Sequence, residues 1–420
     1  MKFKFRLLLP FLVFLLVMSQ GITCAIAETN NTAQPASKED VEKLLKRIQE
    51  LEAEIGRLKK LERELAELKA AVEKAIPPEE TDEINLVVEP PRKFLGLFGE
   101  QTDTVPSLDL SGFMTVSFKY TNIEKRGRFT FDVIEIDPRF NLFEELQVVV
   151  DLEFREPTPE EDDFYVEQAF VAWAPYADNS LEITMGRFNS ILGIEKPDPP
   201  NNFLASHSFL YNKMLPADQT GAMIAYEAGD MRLFFAATNS FGYDNSGERI
   251  STDNNFDKTW TVRLEYRPSE QMALGLNLIA GPEHDDDNSQ YRYTIDADFQ
   301  CACVDVYYLG VEVLYGFEES EIGNEPSWWG VMGIANYTFS QQLEVSLRLE
   351  YVDDFDGGAK LGATAPGRGP RIWSGALALR FHPLTNMDFV MEYKVDGGDD
   401  AYFEPDNNQR TFSVMVTVEF

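Results

Sequence analysis

Charged side chains recur two residues apart along this chain, and that spacing is the first clue to its chemistry. Asp151, Glu153 and Arg155 stand in one such row, Arg263 and Glu265 in a second, Arg348 and Glu350 in a third. Glu182, Arg232, Arg380, Glu392 and Lys394 hold the same phase in runs of their own. A period-two row lies on one face of an extended strand, and its neighbours point the other way. Both signs are present, with acids in excess. Facing water, such a surface acts on ions through its field and gives a weak preference for cations. Alternatively, the charges pair on the wall and only hydrate it.

Catalysis is not expected. The three histidines, His207, His284 and His382, are scattered, and none falls on an outward strand face beside a serine. No cofactor is called for. The runs Glu283–Asn288 and Asp353–Gly357 are rich in carboxylates, the ligands of hard divalent cations. Neither has the spacing of a calcium loop, so no metal site is expected and both read as solvated loops. The net charge of −34 excludes nucleic acid as a partner.

The elements that carry these rows are strands. The last segment, Thr411 to Phe420, alternates Phe412, Val414, Val416, Val418 and Phe420 with mostly polar residues. Similar runs occur from residue 108 onward. They predict sixteen strands, the first near 108–121 and the last near 409–420, in an all-β closed antiparallel barrel spanning 107–420. The predicted connections alternate short and long. Short ones include Ser340–Gln341 and Pro383–Asn386; long ones include Asn189–Gln219, Pro282–Ser289 and Asp354–Pro370. Segregated loop lengths with an apolar outer phase fit a barrel in lipid, where an open sheet edge would be unsatisfied. Sixteen strands enclose an aqueous lumen, and the charged phase makes that lumen wet.

The segments before the barrel differ. Residues 1–27 read as a secretory signal: Lys2, Lys4 and Arg6, then apolar Leu7 to Met18, then Ala25-Ile26-Ala27 as a cleavage site. Residues 28–40 read as a disordered tether. In 41–76, Leu44, Leu51, Leu58, Leu65 and Val72 repeat at heptad spacing, and acids balance bases from Lys38 to Lys74. This is a coiled-coil seam. Self-association satisfies it, in a number the seam does not fix; lying along its own barrel is the other option. Residues 77–106, opened by Pro77-Pro78, form a linker with a segment able to plug the barrel mouth. Cys301 and Cys303 read as small residues at a tight turn rather than a redox pair, and disulfides are not expected to hold the fold.

The run Gly186-Arg187-Phe188, Leu192-Gly193-Ile194-Glu195, Asn201-Asn202, Leu215-Pro216 and Thr220-Gly221 resembles the stretch after the fifth strand in bacterial porins of the OmpL-like and phosphate-selective O and P families. The resemblance implies a trimeric outer-membrane pore for passive diffusion of small hydrophilic solutes or ions. It also implies that the loop Asn189–Gln219 folds inward as a constriction; a surface loop is the alternative. Within it, Glu195, Lys196, Asp198 and Lys213 are the constriction candidates. Only two of these are basic, so phosphate selectivity is not expected. The terminal Phe420 resembles the signature that the barrel-assembly machinery reads. Outer-membrane lipid and lipopolysaccharide, the latter bridged by divalent cations at the acidic loops, are the remaining expected partners, with the coiled coil in the periplasm. A rival function is structural, with the barrel as the anchor of a coiled coil that tethers the membrane to the cell wall.

Overall fold

The computed structural model describes residues 106–156, 164–176, 179–216, 218–241, 256–284, 287–304, 306–319, 325–354, 356–357, 369–399 and 408–420. The signal segment, tether, coiled coil and nearly all of the linker lie outside these residues. None of the described helices is long and apolar enough to cross a membrane.

The strands are β1 (Ser107–Thr121), β2 (Arg126–Phe143), β3 (Leu146–Arg155), β4 (Phe164–Trp173), β5 (Leu181–Asn189), β6 (Asp218–Ala228), β7 (Met231–Thr238) and β8 (Thr259–Ser269). They continue as β9 (Met272–His284), β10 (Asp287–Val304), β11 (Tyr307–Glu318), β12 (Ser327–Ser340), β13 (Leu343–Asp353), β14 (Arg371–Leu384), β15 (Met387–Gly398) and β16 (Asn408–Glu419). Each pairs antiparallel with its chain neighbours, and β16 returns to β1, closing a sixteen-stranded barrel as the alternation predicts. At the seam Val116 faces Val416 and Tyr120 faces Phe412. Gly112 and Phe420 exchange both backbone hydrogen bonds, at 3.0 and 2.9 Å. A terminal strand otherwise left with an open edge is thereby satisfied to its last residue.

Period two sorts the side chains. On β14, Trp373, Leu377 and Phe381 are exposed on the outer face, and Ile372, Ser374, Ala376, Ala378 and Arg380 are buried on the inner one. Exposed Leu, Phe, Trp and Tyr clothe the outer face elsewhere as well, the pattern lipid requires.

Three local expectations change. The long connection at 282–289 is a short one, because β9 extends to His284 and β10 begins at Asp287. The ladder continues that far because Tyr291 pairs with Pro282 and Asp287 with His284. Cys301 is not in the turn; it stays in the β10 ladder opposite Met272, and it is disulfide-bonded. Thirdly, the inner wall is not uniformly polar. Leu314, Met332, Ile334, Val352, Ile372, Ala376, Ala378 and Val390 form an apolar inner surface from β11 to β15, and something apolar must cover it.

The inward-folded loop as candidate functional site

The cover is the loop between β5 and β6. Leu192, Ile194, Leu204, Leu210, Met214 and Leu215 pack into one buried cluster with that inner surface. Leu210 and Leu215 are among the most buried residues of the chain, at 0% and 1% exposure. Pro199–Asn201 forms a 3-10 turn and Leu210–Met214 a single π-turn.

The motif residues build this geometry. Gly186 has φ +136, and a Cβ there would lie 2.2 Å from the Ala169 carbonyl oxygen. Arg187 bonds Asp218 across the loop base at 3.0 Å. Gly193 has φ +73, and its missing Cβ would sit 2.8 Å from Leu215 and 3.0 Å from Glu312. Both positions need a residue tolerant of positive φ. Asn202 knots the loop on itself. Its Oδ1 accepts from the Lys196 N–H at 2.9 Å, and its Nδ2 donates to the carbonyls of Lys196 at 2.6 Å and Asp198 at 2.9 Å.

Charged residues from the wall then fasten the loop. Glu312 accepts the Ile194 N–H at 2.9 Å; Glu350 accepts the Phe209 N–H at 2.7 Å. Glu392 accepts the N–H groups of Ala205 and Ser206 at 2.9 and 3.1 Å. Arg348 donates to Glu195 at 2.5 Å, to Ser206 Oγ at 3.0 Å and to the His207 carbonyl at 3.0 Å. Arg380 donates to the Asn202 carbonyl and pairs with Asp388 at 3.1 Å. Lys394 lies 4.9 Å above the Phe209 ring and pairs with Asp396 at 3.3 Å. Those that reach N–H and carbonyl groups are charge-assisted bonds to backbone that would otherwise be orphaned inside the barrel.

The sequence-predicted site residues therefore separate into groups. Glu195, Arg348, Glu350, Arg380, Glu392 and Lys394 meet where the loop joins the wall, five of them buried. Burial would raise the Glu195 carboxyl, but Arg348, His207 and the bonds from Ser208 outweigh it and hold it below the usual carboxylate range. Arg263 and Glu265 form a second group with Asp298, at 2.8 and 2.5 Å from the guanidinium. Lys196 reaches towards that group; burial, then the Arg263 charge, lowers its ammonium pKa. Beneath the loop, Lys196, Arg232, Arg263 and Glu265 line a cavity of about 720 Å³ that opens towards the short turns. Asp151 and Glu153 are buried on β3, where Asp151 accepts from Gln168 and Glu153 pairs with Arg155 at 2.5 Å. Arg232 pairs with Glu227 at 2.9 Å. Glu182 and Lys213 are exposed, and Glu182 lies with Arg232 near the short turns.

Asp198 points the other way, towards β2 and β4. One oxygen of Asp198, one of Glu135 and one of Glu167 lie within 4.8 Å of one another. Burial, then the charges of Asp151 and Asp137, push the Asp198 carboxyl up to about 6. The alternation pattern does not single out Glu135 and Glu167. Glu167 is the extra residue of a β-bulge, where Asp151 pairs with Gln168 but Leu152 with Val166. An acid directly after the apolar run Phe164-Tyr165-Val166 was the available signal.

Similarity to known proteins agrees with this architecture. Residues 139–420 match the family described as beta-barrel porin-2, OmpL-like. No curated protein matches the sequence. Among solved structures, OmpT of Vibrio cholerae is 11% identical over 76% of this chain and 99% of its own, with TM-score 0.55. The outer membrane channel DcaP of Acinetobacter baumannii is 12% identical over 77% and 100%, with TM-score 0.54. The anion-selective porin of Comamonas acidovorans is 12% identical over 75% and 100%, with TM-score 0.53. With a closed sixteen-stranded barrel and the family match over most of its length, this chain belongs to the OmpL-like family of outer-membrane β-barrel porins.

Proposed function

We propose that this porin passes small hydrophilic solutes and ions by passive diffusion, that Asn189–Gln219 narrows its bore, and that it prefers cations weakly. One observation carries the preference. Arg263, Arg348, Arg380 and Lys394 are tied to wall or loop partners, whereas the exposed acids Glu144, Glu145, Glu182 and Glu227 gather with Arg232 around a cleft near the short turns. Paired bases contribute little field; clustered acids contribute a negative one. Transport of this kind needs no catalytic group or cofactor.

The periplasmic coiled coil of residues 41–76 is proposed to hold three copies together. Its heptads support this, and the Vibrio cholerae OmpT occurs in a trimer form. In the same reading, residues 1–27 direct export, 28–40 tether and 77–106 link the coiled coil to the barrel. Phe420 serves recognition by the assembly machinery, and the outer loops meet lipopolysaccharide.

The test is conductance of the full-length protein in a planar bilayer under a salt gradient. Stepwise conductance with a reversal potential of cation sign supports the proposal, and the preference should shrink at high salt as screening shortens the field. An anion-signed potential overturns the preference. Silence from folded protein overturns the pore reading and favours the tether to the cell wall.

A further inference from the structure

Glu135 on β2, Glu167 on β4 and Asp198 of the loop meet in unusual surroundings. Glu135 and Glu167 are 2% and 3% exposed. Among the described residues, Glu135 Oε2, both carboxylate oxygens of Glu167 and Asp198 Oδ1 have no partner in hydrogen-bonding geometry, although the Asn189 side chain lies beside Glu167. Asp198 Oδ2 accepts a hydrogen bond from Asn201 at 3.0 Å. The charges acting most strongly on Glu135 are those of Glu167, Asp198 and Asp137, all acids. This differs from every other buried carboxylate at the loop: Glu195 has Arg348, and Glu312, Glu350 and Glu392 hold backbone N–H groups. Uncompensated buried carboxylates are strongly unfavourable. A bulge nevertheless turns Glu167 inward, off the phase set by its exposed neighbours Ala169 and Val171. Bulges that re-aim a side chain towards a site are a recurrent device.

We infer that Glu135, Glu167 and Asp198 form a calcium site that clasps the inward loop to the wall opposite its apolar anchor. Calcium takes several oxygen ligands at about 2.3–2.6 Å, so oxygens on opposite sides of the ion lie up to roughly 5 Å apart. One oxygen from each residue, all within 4.8 Å of one another, falls within that span. Three carboxylates offer six oxygens and an excess of negative charge, which suits a hard divalent cation. Two ligands come from strands and one from the loop, so binding couples the ion to loop position. The site stands whether or not the channel selects cations.

The experiment is calorimetric titration of calcium chloride into the EDTA-treated, exhaustively dialysed full-length protein in detergent, beside the Glu135→Gln/Glu167→Gln double variant. Any calcium attracted by the acidic outer loops is common to both, so the comparison isolates the site. The expected result is one class of binding present in the native protein and weakened in the variant by more than the roughly tenfold to hundredfold that outer-shell partners supply. Calcium should also raise the thermal unfolding temperature of the native barrel and not that of the variant. Asp198→Asn, a loop change that leaves every strand intact, should weaken binding likewise and guards against a misfolded double variant. Identical isotherms for native protein and Asp198→Asn overturn the inference and mean that shared protons neutralise the cluster. Because the readout is binding, a barrel that fails to conduct leaves this test intact.

Discussion

Arg348 on β13 grips Glu195 in the inward loop at 2.5 Å, a bond between residues 153 positions apart, and both side chains are buried. The pair is the charged centre of the loop's attachment. The guanidinium also holds Ser206 and the His207 carbonyl, so its removal strands several polar groups at once. Breaking a buried pair by deleting one partner costs about 3–5 kcal/mol. Arg348→Ala is expected to release the loop, giving larger and noisier single-channel currents while the barrel remains heat-modifiable on gels. Unchanged current steps would show that the loop is held without it.

The apolar attachment predicts a contrast between two leucines. Leu210 is fully buried against the inner wall, and Leu377 lies exposed on the outer face. Leu210→Ala should destabilise loop docking by about 2–5 kcal/mol. Leu377→Ala faces the bilayer and creates no cavity. Limited proteolysis of the folded protein should cut 190–217 in the first variant and spare it in the second.

Gly193 offers a backbone test. At φ +73, with Leu215 2.8 Å from the position a Cβ would take, alanine meets both conformational strain and a clash. The conformational part alone is about 1–2 kcal/mol. Gly193→Ala is expected to lower the temperature at which the loop becomes protease-sensitive, and a glycine at the neighbouring Leu192 would not reproduce the effect by this route.

Asp198 gives a pH dependence of definite sign. Its carboxyl, ordinarily at 3.8, stands near 6 in the docked loop, because burial and the charges of Asp151, Asp137 and Glu153 disfavour ionisation, opposed by a bond from Asn201. A raised acid favours docking most below 3.8, and the advantage fades as pH rises through 6. In EDTA, loop protection against protease should therefore weaken between pH 4 and 7. Asp198→Asn should flatten that profile. A profile that strengthens with pH would contradict the assignment.

Much of this was legible in the sequence. Alternation located every strand, and the motif around Gly186, Gly193 and Asn202 marked the loop. Inner apolar residues such as Ile372, Ala376 and Ala378 were not legible, because β14 is apolar on both faces there and period two cannot say what covers the inside. Nor could spacing show that Arg348, Glu350 and Glu392 hold the loop, since their partners are backbone groups more than a hundred residues away. Glu167 escaped because a bulge resets the phase on which the reading depends.

The apolar cluster also has a bearing on the order of assembly. Leu192, Ile194 and Leu210 come early in the chain, yet they settle against Leu314, Met332, Ile372 and Val390, which come late. Contacts so distant in sequence form only after the intervening chain has been organised. The loop therefore has no resting place until the C-terminal third of the barrel has formed, and the width of the finished aperture is fixed by the strands that leave the ribosome last.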